Sequence, residues 1–234
     1  TYYAAWRPVS VYINGAYFGL YELREKLDAE FFEVTENAHP DSIDILSLSA
    51  WGGSVLRAVE GSAEAFFDDY EAFNALDVTN DNYWNLADAY FDLNWYTDYI
   101  IGASWMGNTD WPGNNIRIYR SNSTNFRWRF CLIDLELAMA PNSWTDCFFD
   151  HIQYMRSQDP ANPYINIWLK SMQNPRYYNY FINRFADVMN TASNPDIRNS
   201  FAPFAQLDGR TKSNILISMA AKLKPFQDPT VQKV

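Results

Sequence analysis

The sequence predicts an α+β fold, with a small β-sheet toward the amino end, central helices, a second β-hairpin and a helical carboxyl part. Three observations predict it. Asn14-Gly15 stands between two apolar runs, the strongest short-range signal for a two-residue hairpin. A second pair of β-like runs, Ile116 to Arg120 and Arg127 to Ile133, flanks the polar turn Ser121-Asn-Ser-Thr-Asn125. Elsewhere apolar residues recur at helical spacing between Pro, Asn and Gly boundaries.

Taken in order, Val9 to Ile13 and Ala16 to Tyr21 form the first hairpin. Ile43 to Ser49 alternates apolar and polar residues as a half-buried strand does, and Trp51-Gly-Gly-Ser54 breaks it. These three strands are expected to make a β-rich lobe over residues 1–60, with a mainly helical lobe over 61–234. A helix from Ala63 to Leu76 carries Phe66, Phe67, Tyr70 and Phe73 at helical spacing, and after the loop Asp77 to Asn82 another spans Tyr83 to Tyr90. The helix Leu93 to Met106 is expected to bury the one face that bears Trp95, Tyr99, Ile100, Ala103 and Met106, and to end at Gly107. Beyond the hairpin 116–133, Pro163 to Met172, Pro175 to Thr191, Pro195 to Leu207 and Lys212 to Leu223 read as four helices, several with proline at the start. No internal repeat is evident.

Composition sets outer bounds. At 234 residues and 48% hydrophobic, the chain can fill one large or two small domains. A net charge of -10, with no basic stripe, argues against a nucleic-acid partner, because binding phosphate backbones requires clustered Lys and Arg. No apolar run reaches the ~20 residues needed to cross a bilayer. The chain opens at Thr1-Tyr-Tyr on the approach to a strand, so an upstream part is expected. Only His39 and His151 are present, which rules out a multi-histidine metal site. His39 precedes Pro40, as in a loop. Cys131 and Cys147 leave two readings open, a bridge or two free thiols. There is no Gly-x-x-x-x-Gly-Lys-[Ser/Thr] loop.

The richest segment is Gly107-Asn-Thr-Asp-Trp-Pro-Gly-Asn-Asn115, followed by the hairpin that delivers Asp134. An Asp, four intervening residues and an Asn, then a hairpin ending in a second Asp, is the order in which protein kinases hold a hydroxyl and magnesium around ATP. An Asp that takes a hydroxyl proton must sit near the metal ligands, and a rigid turn with a short hairpin suits that need. Each residue also has a plain reading. Asp110 before Pro-Gly closes a turn, Asn114 and Asn115 tolerate left-handed backbone, and Asp134 pairs with Arg129 or Arg117. Asp134 lies in the apolar run Cys131 to Leu137, where an unpaired buried carboxylate is costly and a bound cation offsets that cost.

Several stretches carry a family resemblance. They are Pro8-Val-Ser-Val-Tyr-Ile-Asn-Gly15, Leu20-Tyr-Glu-Leu-Arg-Glu-Lys-Leu-Asp28, the 107–115 block, Arg127-Trp-Arg-Phe-Cys-Leu-Ile-Asp134 and Asn174-Pro-Arg-Tyr-Tyr-Asn-Tyr-Phe-Ile-Asn-Arg-Phe185. Together they resemble the spore coat protein H (CotH) kinase family. The resemblance implies a divergent kinase-like fold, ATP with Mg2+ or Mn2+ (Ca2+ being a third candidate ion), a protein substrate with Ser or Thr acceptors, and a secreted, cell-surface or spore-coat location. It assigns Asp110 as the catalytic group, Asn115 and Asp134 as metal ligands with Glu136 as a further one, and Glu25, Lys26 and Asn114 to the nucleotide. The chain departs from the pattern at Glu136, where the family more often has Asp. The phosphate-binding lysine of a kinase is expected upstream of Thr1.

Three other readings remain. Asp77, Thr79 and Asp81 alternate as in a calcium loop, without its glycine or distant glutamate. A glycoside hydrolase would pair Asp110 with Asp134 and stack sugar on Trp51, Trp105, Trp111 or Trp144. A non-catalytic surface or scaffold protein would keep a degenerate kinase fold as a binding module.

Overall fold

The computed structural model describes residues 4–49, 55–135 and 150–192. Glu136, Cys147, Trp51, Trp144 and the helices expected over 195–207 and 212–223 lie outside the described residues. The described elements are β1 (Trp6–Ile13), β2 (Ala16–Arg24), α1 (Ala29–Glu36), β3 (Asp44–Leu48), β4 (Arg57–Glu60), α2 (Glu64–Asn74), α3 (Tyr83–Asp88), α4 (Leu93–Met106), β5 (Ile116–Arg120), β6 (Arg129–Cys131), α5 (His151–Arg156), α6 (Pro163–Ser171) and α7 (Pro175–Ala192).

The α+β class expected from the sequence is the class observed. Strands β1 and β2 pair antiparallel around Asn14 (φ 51) and Gly15 (φ 82), the two left-handed residues that such a tight turn demands. They form a sheet of their own. The strand expected over 43–49 forms, but not beside this hairpin: β3 lies inside a four-stranded sheet of order β4-β3-β5-β6. Alternation tells which way side chains point and says nothing of which strand lies alongside. Here both faces of β3 are used, because Ile45 faces one apolar cluster and Leu46 and Leu48 face another.

That division runs through the whole sheet. On one face, Ile45, Tyr119 and Cys131 meet Leu27 and Phe32, with the Phe32 and Tyr119 rings stacked 3.8 Å apart. On the other, Leu48, Ile116, Ile118 and Phe130 join the main core of α2, α4, α6 and α7. The sequence reading missed α1 and β4. Asp28 caps α1 by accepting from Phe31 N–H, a start signal visible in retrospect, whereas β4 is exposed along its length and carries no pattern.

Helix α4 has the expected bounds. Asp92 caps its start, and Gly107 (φ 61) ends it in left-handed backbone. Its burial is wider than one face, since Leu93, Tyr96, Thr97, Tyr99, Ile100, Ile101, Ala103 and Ser104 are all buried. A helix enclosed on most sides is central rather than amphipathic. It holds the sheet through Trp95, whose indole N–H donates to Phe130 O at 2.8 Å, and through Gly102, where an added Cβ would stand 3.4 Å from Leu132.

Candidate active site

The segment between α4 and β5 is shaped by its own polar side chains. Asn108 N–H closes the helix on Ala103 O, and the Asn108 side-chain oxygen accepts from Asp110 N–H at 3.2 Å. Asn114 N–H returns to Asp110 O at 3.0 Å, so residues 110–114 make one closed turn. The Asp110 Oδ2 then accepts two side-chain amides, Asn114 Nδ2 at 2.9 Å and Asn115 Nδ2 at 2.6 Å. Asn115 sits at φ 51, a left-handed conformation that asparagine tolerates better than most residues. Trp111 anchors the turn, fully buried and edge-on to Tyr99 at 5.8 Å. That burial removes Trp111 from any sugar-stacking role.

Register places the other predicted ligand at the same end of the sheet. Arg117 pairs with Cys131 and Ile118 with Phe130, so the chain enters β5 from Asn115 and leaves β6 toward Asp134 at one end of the strand pair. Leu48 of β3 pairs with Ile116 at that end as well. Asp134 itself differs from expectation. The strand stops at Cys131, and Asp134 is exposed at φ 46 instead of buried in an apolar run. No burial cost therefore needs a cation to offset it. The alternative partners are occupied elsewhere: Arg117 Nη1 donates to Leu27 O at 2.8 Å, and Arg129 pairs with Asp92 and Glu36.

The remaining arginines of the hairpin are also committed. Arg120 bridges Asp44 at 2.7 Å and Asp69 at 2.6 Å with its guanidinium over Trp128, and Arg127 pairs with Asp88 at 2.6 Å. Glu25 lies just past β2, where it joins the open end of the first hairpin: its N–H donates to Ala5 O at 2.8 Å and its carboxylate accepts from Ala5 N–H at 3.0 Å. Lys26 is exposed and pairs with Asp28 at 3.3 Å. Asp77 closes a local turn by accepting from Thr79 N–H and hydroxyl, both at 2.8 Å.

Sequence reasoning missed the side chains that grip the Asp110 turn from outside. His151 and Tyr154 of α5, and Asn162 at the start of α6, each reach a backbone carbonyl of the turn. His151 Nε2 stands 2.7 Å from Asn108 O, the Tyr154 hydroxyl donates to Thr109 O at 3.1 Å, and Asn162 Nδ2 donates to Pro112 O at 3.3 Å. A carbonyl only accepts, so the His151 proton on this side is on Nε2. Burial, and then the Asp110 charge, hold the Tyr154 hydroxyl above its ordinary range. Cys131 is a free, buried thiol pushed up to about 12 by burial.

The donors suit a hard cation. Asn115 donates to Asp110 through its amide nitrogen, so its amide oxygen is not used in that bond, and Asp134 presents an exposed carboxylate. Among the described residues no three His, Cys, Asp or Glu side chains gather into a metal-binding group. A small set of protein oxygens fits magnesium, which commonly takes one or two protein ligands and completes its shell with phosphate and water.

An α+β chain in which an Asp-Asn turn feeds a strand pair ending near a second Asp is compatible with a kinase-like arrangement. The family model for CotH kinase protein matches residues 1–197, and the chain belongs to that family. No curated protein matches the chain. No helix among the described residues is long and apolar enough to cross a membrane.

Proposed function

We propose that this chain is a metal-dependent protein kinase that transfers the γ-phosphoryl group of ATP to a Ser or Thr hydroxyl of a secreted, cell-surface or spore-coat protein. The observation that carries the reading is the Asp110 carboxylate held by two adjacent amides at the end of the β5–β6 pair. Family membership supports the same chemistry.

In this reading both amides occupy Oδ2, so Oδ1 of Asp110 faces the acceptor hydroxyl. The hydroxyl oxygen bonds to the γ-phosphorus, its proton passes to Asp110, and the bond from that phosphorus to the bridging oxygen breaks to leave ADP. Asn115 and Asp134, with Glu136, would hold a divalent cation, whose chemistry is to offset negative charge on the transferring group. Glu25, Lys26 and Asn114 are proposed on the nucleotide side.

Transfer of labelled phosphate from ATP and magnesium to a Ser-rich protein tests this, with Asp110→Ala as the comparison. The expected result is incorporation by the native chain and a loss of at least about 100-fold in the variant, the scale of a positioned general base. Equal incorporation in both would remove Asp110 from the chemistry.

A second reading rests on the arginines. With Arg120, Arg127 and Arg129 in structural ion pairs, a non-catalytic scaffold that retains the fold is the alternative. It predicts no thermal shift with ATP and magnesium or manganese.

A further inference from the structure

The hydrogen bonds inside the 108–115 turn set its shape but do not orient it on the body of the protein. Asn108 to Asp110, Asp110 to Asn114 and Asp110 to Asn115 are all local to the turn and move with it. Orientation comes from contacts beyond the turn. The buried Trp111 ring packs on Tyr99, and three side chains of one later stretch bond to the turn's backbone, spaced along it in chain order: His151 on Asn108 O, Tyr154 on Thr109 O and Asn162 on Pro112 O. His151 and Asn108 are both buried, so water does not compete for the first of these bonds. The stretch is itself fixed, because Asp150 caps α5 through Gln153 N–H and Asn162 caps α6 through Tyr164 N–H at 2.9 Å.

We propose that His151, Tyr154 and Asn162 are positioning residues, which aim the Asp110 carboxylate by holding the backbone carbonyls on either side of it. This rests on the phosphotransfer reading above. None of the three touches a reacting atom in it. Each acts through the backbone, and a displacement of about 1 Å at a catalytic group costs on the order of 100-fold in rate. Asn162 spans two duties, since the side chain that grips Pro112 O also starts α6. The turn and the helix therefore share one anchor.

The test compares Tyr154→Phe, His151→Gln and His151→Leu with the native chain. Tyr154→Phe keeps the ring and removes only the donor, while His151→Gln keeps a side-chain N–H that His151→Leu lacks. Steady-state phosphate transfer is measured with the apparent KM for ATP, and amide hydrogen exchange is followed at Asn114, whose N–H closes the turn on Asp110 O. For Tyr154→Phe we expect kcat about tenfold lower, KM for ATP within about twofold, and exchange at Asn114 about tenfold faster with β5 amides unchanged. His151→Gln is expected to recover most of the rate that His151→Leu loses. Native kcat in Tyr154→Phe overturns the proposal, as does equally faster exchange through β5, which would signal general loosening. If the native chain transfers no phosphate, the kinase reading fails by itself. Exchange then decides the anchoring alone: acceleration confined to the turn upholds it, and none overturns it.

Discussion

Asn115 donates its side-chain amide to the Asp110 carboxylate at 2.6 Å, across a turn that Asn114 closes with both its backbone and its side chain. The contact makes Asn115 serve two ends. Its nitrogen fixes the carboxylate, and its left-handed backbone (φ 51) turns the chain into β5.

These duties separate on substitution. Asn115→Gly keeps the left-handed backbone and removes the amide, while Asn115→Ala also introduces a strain of about 1 kcal/mol, because a Cβ crowds the carbonyl in that conformation. The expected outcome is near-native thermal stability for Asn115→Gly, a lower melting temperature for Asn115→Ala, and phosphate transfer reduced at least about tenfold in both. Full transfer by Asn115→Gly would show that the amide is only a turn residue.

Asp92 is the structural counterpart of Asp110. It is buried, caps α4 by accepting from Trp95 N–H at 3.2 Å, and pairs with Arg129 at 2.8 Å and Arg127 at 3.4 Å. Both partners' side chains are largely enclosed. Asp92→Asn keeps a capping oxygen and loses the charge, leaving two guanidinium groups without it, and is expected to cost about 2–4 kcal/mol. Urea unfolding measures this. A cost below about 1 kcal/mol would mean that water screens the cluster as it does an exposed pair.

Much of this architecture is legible in the sequence, for reasons tied to particular residues. Asn14-Gly15 admits few structures other than a tight hairpin, and Asp92 and Gly107 mark the ends of α4 by capping chemistry. The spacing from Asp110 to Asn115 anticipates a contact because both lie on one short turn. What stays hidden is long-range. Nothing in Asp44–Leu48 states that its partners are β4 and β5, and nothing near Asp110 points to His151, 43 positions away from Asn108. The apolar run Cys131 to Ile133 continues the strand pattern after its pairing has ended, so the pattern alone gives no sign that Asp134 is exposed.

Alkaline pH should unfold the protein before it ionises the core. Burial pushes Cys131, Tyr83 and Tyr164 each up to about 12, from ordinary values of 9.0, 10.0 and 10.0. Each group holds its proton more tightly folded than unfolded, so the stability it contributes is intact below the unfolded value and lost as pH rises toward 12. Urea midpoints are therefore expected to be flat from pH 7 to 8.5 and to fall steadily between about 9.5 and 11. Cys131 should resist alkylation at pH 8 until urea unfolds the chain. Rapid alkylation of the native thiol, or a constant midpoint to pH 11, would contradict the burial on which the argument depends.

The last prediction concerns Asp134, where conformation and ligand chemistry can be told apart. Its backbone is left-handed (φ 46) and its side chain is exposed, so Asp134→Asn fits the same backbone, breaks no buried contact and should leave the melting temperature of the free protein within about 1 °C of native. An amide carries no charge for a cation, so the variant should lose the thermal shift produced by ATP and magnesium. Asp134→Ala should lose that shift and also about 1 kcal/mol of stability, since alanine tolerates the left-handed conformation poorly. Titrating magnesium at fixed ATP separates the two causes, because a weakened metal site raises the magnesium requirement while a misfolded loop lowers the shift at every concentration. A shift in Asp134→Asn equal to that of the native chain would move the cation to other oxygens, and would leave Asp134 as the residue that turns the chain out of β6.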